Sequence, residues 1–581
     1  MAEKLDKVDV VIVGAGWAGG ITAAELTKAG YKVVGLERGK DQEISDFVGA
    51  KDSLRYDSRY GMMEDNSVQT ITGRRNEDEE AIPLRTQSDN YEGSNVGGSG
   101  SHWSGVTHRA TAFDFEVRSK TIEKYGEDKI PKDMFLQDWG ITYDEIEPYY
   151  DKFEKMAGTS GEEDPLGAPR SSPYPTPPMK ETPAIKLFKD AAKKLGYHPF
   201  QIPSANLSQQ YENPDGQTIN ACQYCAFCVM YGCDFGAKSD PLVTVIPTAL
   251  ETGNYDLRTH AYTRRILHEN GKATGVLYVD MKSGKEYEQP ADVVILAAYT
   301  LSNTKLMLLS DIGEPYDPKT KSGVIGRNAG GFTGSSKGTA TGFFENKKFN
   351  LAMGAGALGG TFSDLDSDNL DTTDLDFIGG GIVELRLRGE DPINYNTVPK
   401  DTPRWGKEFK EKSLHYANRN LTAHFKAPNY GWSYNYMDLD PTYKDSFNDP
   451  LLRVTMTLTD HEKKLRDFGR NKMAEVMEEM GADIVEMSDI PDDWEFGQSG
   501  GEAGGGVIMG DDPEISAVNN YLQVWDMENL FVVGASALPQ KIPQQTATVG
   551  AFAYRAAEGV EKYLKDGGGM LAEAKSKTKK V

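Results

Sequence analysis

The stretch Val8-Asp9-Val10-Val11-Ile12-Val13-Gly14-Ala15-Gly16-Trp17-Ala18-Gly19 places a short β-branched run directly before three spaced glycines. In such a turn the first glycine permits the tight bend, the second lets the backbone approach a pyrophosphate, and the third packs the next helix onto the strand. Helix formers follow from Ile21 to Ala29, and Lys32 to Glu37 read as a second strand. Glu37 ends that strand, where a carboxylate can accept hydrogen bonds from an adenosine ribose. The sequence therefore predicts a dinucleotide site formed by Gly14, Gly16, Gly19 and Glu37.

Two later segments read as further buried strands of the same parallel α/β domain. One is Asp292 to Leu296, which follows a meander of short β-rich runs, and the other is Asn529 to Ser536, which precedes a helix from Thr546 to Leu564. We therefore expect an α/β fold, α+β overall, with a Rossmann-like dinucleotide-binding domain and a discontinuous substrate domain built on a mainly antiparallel sheet. The expected boundaries are 1–110, 235–335 and 505–568 for the first domain, 111–234 and 336–504 for the second, and 569–581 for a flexible tail.

Composition excludes several classes of protein. The 581 residues carry a formal net charge of −24, and nucleic-acid binding depends on clustered Lys and Arg, so we expect no nucleic-acid partner. No run approaches the 18 or more apolar residues of a membrane span, and the first apolar run leads directly into the glycine turn rather than into an export signal. We expect a protein that is cytoplasmic, or associated with a membrane through partner subunits.

A second glycine segment, Asn95-Val96-Gly97-Gly98-Ser99-Gly100-Ser101-His102-Trp103-Ser104-Gly105, and the C-terminal turn Val533 to Ala537 resemble the flavin-contacting segments of the glucose–methanol–choline (GMC) oxidoreductase family. Leu296 to Gly313 resembles a degenerate form of that family's second signature. The likeness runs the length of the chain and is strongest to the branch of multi-subunit sugar dehydrogenases that includes bacterial gluconate 2-dehydrogenase. The resemblance implies FAD as the dinucleotide, with these further contacts: Gly97, Gly98, His102, Trp103, Ser104, Ala535 and Thr546.

All four cysteines of the chain fall within one short segment, at Cys222, Cys225, Cys228 and Cys233. Two successive C-x-x-C steps and a fourth cysteine bring several thiolates into one small volume, as an iron–sulfur cluster requires. Four thiolates also suit tetrahedral zinc, so both metals remain open on spacing alone. In the related sugar dehydrogenases the cluster is of the three-iron type held by three cysteines, and the resemblance therefore favours [3Fe–4S] over [4Fe–4S], with one cysteine as a spectator.

A flavin next to a cluster implies a route for electrons. The flavin accepts two electrons as hydride, and a one-electron centre beside it lets them leave singly to an outside acceptor. This favours a dehydrogenase over an oxidase. The resemblance implies a sugar, sugar-acid or polyol substrate, a small partner subunit, and a cytochrome or quinone as electron acceptor.

His102 has a second interpretation. Its Ser-His-Trp context resembles the covalent flavin attachment point of the pyranose oxidase branch of the family. Covalent attachment of FAD through His102 and a non-covalent contact or packing role both remain open.

The family's catalytic residues are missing. Members use a histidine as general base, with an Asn or a second His near the last flavin-contacting turn. Here Glu502 occupies the histidine position when counted back from Met509, whereas an alignment on Glu-Ala-Gly-Gly puts Gly501 there. Gln544 aligns best with the Asn position. We expect Glu502 to act as a weaker base if burial raises its pKa, and Gln544 to bind the substrate oxygen.

The altered positions keep a second hypothesis open. The chain could be a catalytically altered flavoprotein or partner subunit that lacks ordinary alcohol oxidation. Of the other histidines in the central region, His415, His424 and His461, we expect that His424 could enter the site.

Overall fold

The computed structural model describes residues 2–47, 62–85, 92–329, 337–389, 397–490, 492–493 and 502–575. Its strands are Glu3–Lys4, Val8–Val13, Val33–Leu36, Ile71–Arg74, Ile82–Pro83, Met134–Phe135, Phe200–Gln201, Tyr211–Glu212, Thr218–Ile219, Tyr255–Arg258, Ala261–Glu269, Lys272–Asp280, Glu286–Leu296, Lys337–Phe343, Gly359–Phe362, Ile382–Arg386, Asn420–Lys426, Gly431–Trp432, Tyr436–Lys444, Pro450–Thr455, Ile484–Met487, Gln523–Val524 and Met527–Val532.

The α-helices are Trp17–Lys28, Ala112–Phe115, Val117–Tyr125, Tyr143–Ala157, Pro183–Lys194, Val245–Glu251, Thr300–Leu309, Lys407–Tyr416, Asp460–Glu479 and Thr546–Asp566. Short 3₁₀ helices include Gly98–His102 and Ala535–Ala537. Among the described residues, no helix combines the length and the apolar character that crossing a membrane requires.

A sheet that we call the dinucleotide sheet is formed by three separated stretches of chain. Val8–Val13 lies parallel to Val33–Leu36 on one side and to Glu286–Leu296 on the other. Met527–Val532 adds a further parallel strand, and Ala261–Glu269 extends the sheet through an antiparallel meander. Strands buried on both faces read as continuous β-branched runs, which explains the sequence of the first strand. The predicted Rossmann-like α/β fold is confirmed.

A second sheet, which we call the cavity sheet, is antiparallel throughout. Its strands, in spatial order, are Ile484–Met487, Lys337–Phe343, Asn420–Lys426, Ile382–Arg386, Gly359–Phe362 and Phe200–Gln201. The helix Asp460–Glu479 packs against one face, where a Cβ at Gly469 would lie 2.0 Å from the Phe425 ring. The mainly antiparallel second sheet is thus also confirmed, and its opposite face is left to line a cavity.

A four-stranded sheet connects distant parts of the chain. Tyr436–Lys444 and Pro450–Thr455 pair with each other, and Pro450–Thr455 lies parallel to Ile71–Arg74. Part of the N-terminal stretch is therefore held by strands from the second half of the chain, because the sheet register joins Leu452 to Ile71.

Candidate active site

A cavity of about 1110 Å³ lies between the glycine turn and the uncovered face of the cavity sheet. Pockets for one small ligand enclose about 300–1,000 Å³, so this volume suits a large cofactor together with a substrate. Most of the residues predicted for cofactor binding and catalysis line it: Gly14, Gly16, Glu37, Gly98, His102, Trp103, Ser104, Glu502, Ala535, Gln544 and Thr546. Gly19 and Gly97 lie behind this lining.

The three glycines of the first turn meet different constraints. Gly14 has φ +99°, and a Cβ there would lie 2.5 Å from the carbonyl oxygen of Ala297. A Cβ on Gly19 would lie 1.9 Å from the carbonyl oxygen of Gly14, so this glycine lets the helix pack onto the strand. A Cβ on Gly16 would meet no protein atom closer than 3.8 Å and would instead occupy the cavity. The turn is therefore built to admit a ligand at Gly16, as a pyrophosphate requires.

Glu37 is buried at the end of its strand and holds the turn. Its carboxylate accepts hydrogen bonds from the backbone N–H of Ala15 at 3.0 Å and from that of Gly39 at 2.8 Å. The two hydrogen bonds lower the pKa of Glu37, but burial has the larger effect, and the pKa is raised above its ordinary value. Each carboxylate oxygen can accept more than one hydrogen bond, so the group can also serve a ribose hydroxyl.

The second glycine segment packs against the first turn. Gly97 and Gly98 have φ +93° and +52°, and the N–H of Gly97 donates to the carbonyl oxygen of Ala15 at 2.9 Å. A Cβ on Gly98 would come within 3.3 Å of the Gly16 Cα. The two segments that the sequence assigns to one cofactor therefore border the same space.

The cysteine segment forms an irregular loop beside this space. All four cysteines are free thiols; Cys228 and Cys233 are buried, and Cys222 and Cys225 are half-buried. Burial, with a smaller contribution from the neighbouring cysteines, raises the pKa of Cys222 to about 12 and that of Cys228 to about 11. Within the described ranges, no group of three or more His, Cys, Asp or Glu side chains has an arrangement that could hold a metal ion.

Three of the four sulfur atoms accept backbone hydrogen bonds, which are a feature that tunes iron–sulfur sites. Cys222 accepts from the N–H of Tyr224 and Cys233 from that of Ala237, each at 3.4 Å. Cys228 accepts from the N–H of Gly356. Such donors favour the thiolate, which is the form of cysteine that binds a metal ion, but they do not by themselves bring the described sulfur atoms into a metal-holding arrangement.

Lys238 joins the cysteine loop to the second glycine segment. Its buried ammonium donates to the carbonyl oxygens of Trp103 at 2.9 Å, Cys228 at 3.1 Å and Tyr231 at 2.7 Å. Cys225 and Trp103 both line the cavity. The loop is thus a wall of the candidate cofactor site. Sequence reasoning missed Lys238, and no spacing pattern marks it.

The C-terminal end of the cavity holds the predicted catalytic residues. The Glu502 carboxylate lies 3.4 Å from the buried Lys541 ammonium, and the Gln545 side chain donates to the Glu502 carbonyl oxygen at 3.1 Å. The Glu502 side chain remains 37% exposed, so the burial on which its role as a base was expected to depend is incomplete. Gly501, the other candidate for this position, lies outside the described residues. Gln544 is buried and faces the same cavity.

Among the three central histidines, His424 lines this cavity. His461 is buried elsewhere and accepts a hydrogen bond from the N–H of Ile378, and His415 pairs with Glu345 at 2.9 Å. Burial, together with the charges of Arg388, Arg386 and Lys426, holds the pKa of His424 well below its ordinary value.

Sequence reasoning missed the basic residues of the cavity sheet. Arg386, Arg388 and Lys426 all line the cavity. The alternation of polar and apolar residues from Asn420 to Lys426 is a period-two signal that could have placed Lys426 on one face with His424. The same pattern does not predict which strand pairs with Asn420–Lys426 and so brings Arg386 to the same face.

The family model described as GMC oxidoreductase matches residues 135–330 with its N-terminal part and residues 432–553 with its C-terminal part. The chain is 37% identical to the gluconate 2-dehydrogenase flavoprotein of Pantoea cypripedii, over 98% of the chain and 96% of that protein. It is 25% identical to the fructose dehydrogenase large subunit of Gluconobacter japonicus, over 98% of the chain and 100% of that protein.

One solved structure shows how far the fold is shared. Pyridoxine 4-oxidase superposes with a TM-score of 0.59 and 16% identity, over 96% of the chain and 99% of that protein. At this identity the match supports the fold alone.

Proposed function

Because the chain belongs to the GMC oxidoreductase family, we propose that it is an FAD-dependent dehydrogenase subunit that oxidises a hydroxyl group of a sugar, sugar acid or polyol. The observation that carries this proposal is one shared cavity, which Gly16, Gly98, Glu502 and Gln544 all line. The names of the relatives, gluconate 2-dehydrogenase flavoprotein and fructose dehydrogenase large subunit, support a sugar or sugar-acid donor. Residues 1–110, 235–335 and 505–568 are proposed to form the FAD-binding domain, and 111–234 and 336–504 the substrate domain.

Oxidation of a hydroxyl group removes a hydride from carbon and a proton from oxygen. When bound, the flavin supplies the acceptor for the hydride. The chain must therefore provide a proton acceptor next to the substrate oxygen. We assign this role to the Glu502 carboxylate, which Lys541 positions at 3.4 Å, and we assign to the Gln544 amide a hydrogen bond to the same oxygen. The FAD contacts proposed here are Gly14, Gly16, Gly19, Glu37, Gly97, Gly98, His102, Trp103, Ser104, Ala535 and Thr546, with His102 as a candidate for covalent attachment.

The cysteine loop gives the electrons an exit. We propose that three of Cys222, Cys225, Cys228 and Cys233 hold a [3Fe–4S] cluster, which would accept electrons one at a time and release them to a cytochrome or quinone. Support comes from the hydrogen bonds to three sulfurs and from the contact of the loop with the Trp103 carbonyl through Lys238. A small subunit and a membrane-bound acceptor are proposed as partners, as the words large subunit imply for a relative.

The altered catalytic positions favour one competing function. A flavoprotein with Glu502 and Gln544 in place of His and Asn could transfer electrons within a complex without oxidising a substrate itself.

An anaerobic screen of sugars, sugar acids and polyols separates the two functions. Bleaching of the oxidised flavin absorbance by at least one compound supports the dehydrogenase. If dithionite reduces the flavin and no compound does, the chain is the electron-transfer subunit. Iron and zinc analysis of the same sample decides the metal.

A further inference from the structure

The strand Asn420–Lys426 presents two chemically different faces. Leu421, Ala423 and Phe425 are buried in the core beneath the helix Asp460–Glu479. The alternate residues Thr422, His424 and Lys426 line the cavity. On the adjacent strand, Glu384 stands opposite His424 in the register, and Arg386 lines the cavity two residues further on. The cavity sheet thus turns a cluster of charged groups toward the cavity.

The cations at the other end of the cavity have carboxylates of their own. Arg38 pairs with Glu64 and Glu92, each at 2.7 Å. Lys305 pairs with Asp445 at 2.8 Å. Charge at that end is therefore balanced within the chain.

At the cavity sheet, two cations share one carboxylate. Glu384 lies 2.9 Å from the Lys426 ammonium and 3.3 Å from Arg386 Nε. Its other oxygen faces His108 at 3.2 Å. Among the described residues, Arg386 otherwise contacts the Gly356 carbonyl oxygen at 3.5 Å through Nη1. A guanidinium has five N–H donors in a planar fork, so most of its capacity is left for a ligand.

The neighbouring groups report the same excess of positive charge. Burial raises the pKa of Glu384, but Lys426 and Arg386 overcome that effect and hold the pKa well below its ordinary value. Burial lowers the pKa of His424, and Arg388, Arg386 and Lys426 lower it further against the smaller effect of Glu384. This positive region lies in a protein with a formal net charge of −24.

We propose that Arg386 and Lys426 bind a carboxylate of the substrate, so that the cavity sheet selects acidic sugars over neutral sugars and polyols. The Arg386 fork matches the two oxygens of a carboxylate, and Glu384 contacts both cations and so holds them close to each other. Both side chains are more than 90% buried, so the ion pair forms away from water, where charge-assisted hydrogen bonds are strong. This inference rests on the proposed function, because it names the substrate class for the same cavity.

Through Arg386, the two cations are also connected to the cysteine loop. Arg386 contacts the carbonyl oxygen of Gly356, whose N–H donates to Cys228. The same cations could therefore serve a metal centre at the cysteine loop instead of a substrate.

Gluconate and glucitol make a suitable pair of probes, because they share five hydroxyl-bearing carbons and differ in a carboxylate against a hydroxymethyl group. Dissociation constants are measured by calorimetry on holoenzyme reduced beforehand with dithionite, which prevents turnover. We expect tighter binding of gluconate by the unmodified protein. Arg386→Gln and Lys426→Gln should each weaken gluconate binding by about 10- to 100-fold, which is the range for a lost charge-assisted hydrogen bond. Each should weaken glucitol binding by less than about threefold. Arg386→Lys should recover part of the loss.

Arg453→Gln is the matched control. It removes an arginine paired with Asp438 on the four-stranded sheet, away from the cavity, and should leave both dissociation constants unchanged. Flavin content and thermal midpoint check folding of each variant. If Arg386→Gln does not fold, Lys426→Gln and Arg386→Lys carry the test.

The inference is overturned if the variants weaken the binding of the two ligands equally or leave gluconate binding unchanged. It is also overturned if they shift only the reduction potential of a metal centre. Failure of the proposed function has a different signature. In that case gluconate binds with the expected selectivity, but neither gluconate nor any other compound of the screen bleaches the oxidised flavin.

Discussion

The backbone N–H of Met230 donates a hydrogen bond of 2.9 Å to the carbonyl oxygen of His102. This bond joins the cysteine loop to the glycine segment that faces the cavity. Lys238 reinforces the contact by binding carbonyl oxygens on both sides, at Trp103 and at Tyr231. The two segments are therefore positioned as one unit, as the proposed transfer of electrons from the flavin to a cluster would require.

Substitution of Lys238 by Met should weaken the contact between the cysteine loop and the second glycine segment. Three carbonyl oxygens would lose a charged donor, and the buried one, on Cys228, would be left unsatisfied at a cost of about 1–3 kcal/mol. We expect a lower thermal midpoint and a lower iron content per flavin, measured by calorimetry and metal analysis. Lys129→Met is the control, because Lys129 likewise donates to three carbonyl oxygens, those of Thr372, Thr373 and Leu375, and none of them belongs to the cysteine loop. Equal effects of both substitutions would show that Lys238 has no special role.

The cysteines should differ in importance. Cys222, Cys228 and Cys233 accept backbone hydrogen bonds, whereas Cys225 has no such donor among the described residues. Single Cys→Ser variants at those three positions should therefore lose the iron and its paramagnetic resonance signal, and Cys225→Ser should retain both. Loss of iron in Cys225→Ser with retention in any other variant would contradict this assignment of the spectator.

Two glycines of the first turn should fail in different ways when replaced by Ala. At Gly16 the new methyl group meets no protein atom within 3.8 Å and enters the cavity. We expect a folded apoprotein whose FAD affinity falls by about tenfold or more, equivalent to an overpacking cost of about 1–3 kcal/mol. At Gly19 the methyl group would meet the Gly14 carbonyl oxygen at 1.9 Å.

Gly19→Ala should therefore lower the thermal midpoint of the apoprotein itself. Fluorescence titration with FAD and calorimetry of both apoproteins separate the two effects. A Gly16→Ala protein that binds FAD normally would place the pyrophosphate elsewhere.

The local signals of the dinucleotide sheet were strong enough to predict it. The first strand has the bounds Val8–Val13 that its β-branched run predicts, and the last helix begins at Thr546 as expected. The first helix begins earlier than its helix formers indicate, at Trp17, because close packing of Gly19 on Gly14 favours helix where propensity alone does not. In this domain the fold follows from short-range sequence.

The basic face of the cavity sheet depends on long-range pairing instead. Arg386 and Lys426 lie 40 positions apart in the sequence, and they become neighbours of Glu384 only through the register that sets Glu384 opposite His424. A shift of one residue in the pairing of these strands would point the charged side chains into the core. No spacing in the sequence encodes that choice, because tertiary packing of the apolar face decides it.

The missing family histidine leaves two candidates for the proton acceptor. Glu502 and His424 line the same cavity. Burial and three nearby cations hold the pKa of His424 well below its ordinary value, so the proton that it would take is poorly stabilised there. The Glu502 carboxylate lies 3.4 Å from the Lys541 ammonium, and its side chain is 37% exposed, so water can help to stabilise a change in its charge. We therefore expect Glu502→Gln to slow substrate-dependent flavin reduction by about 10²- to 10⁴-fold, the usual contribution of a general base.

His424→Gln should slow the same step by less than about tenfold, because an amide keeps a hydrogen bond to a substrate hydroxyl while it lacks a basic nitrogen. Single-turnover stopped-flow measurements are the suitable readout, since they isolate flavin reduction from the later exit of electrons. Reduction by dithionite should be unchanged in both variants and serves as the control for an intact flavin. A large loss in His424→Gln with normal rates in Glu502→Gln would move the base to the cavity sheet, and the cations around His424 would then act by setting its basicity.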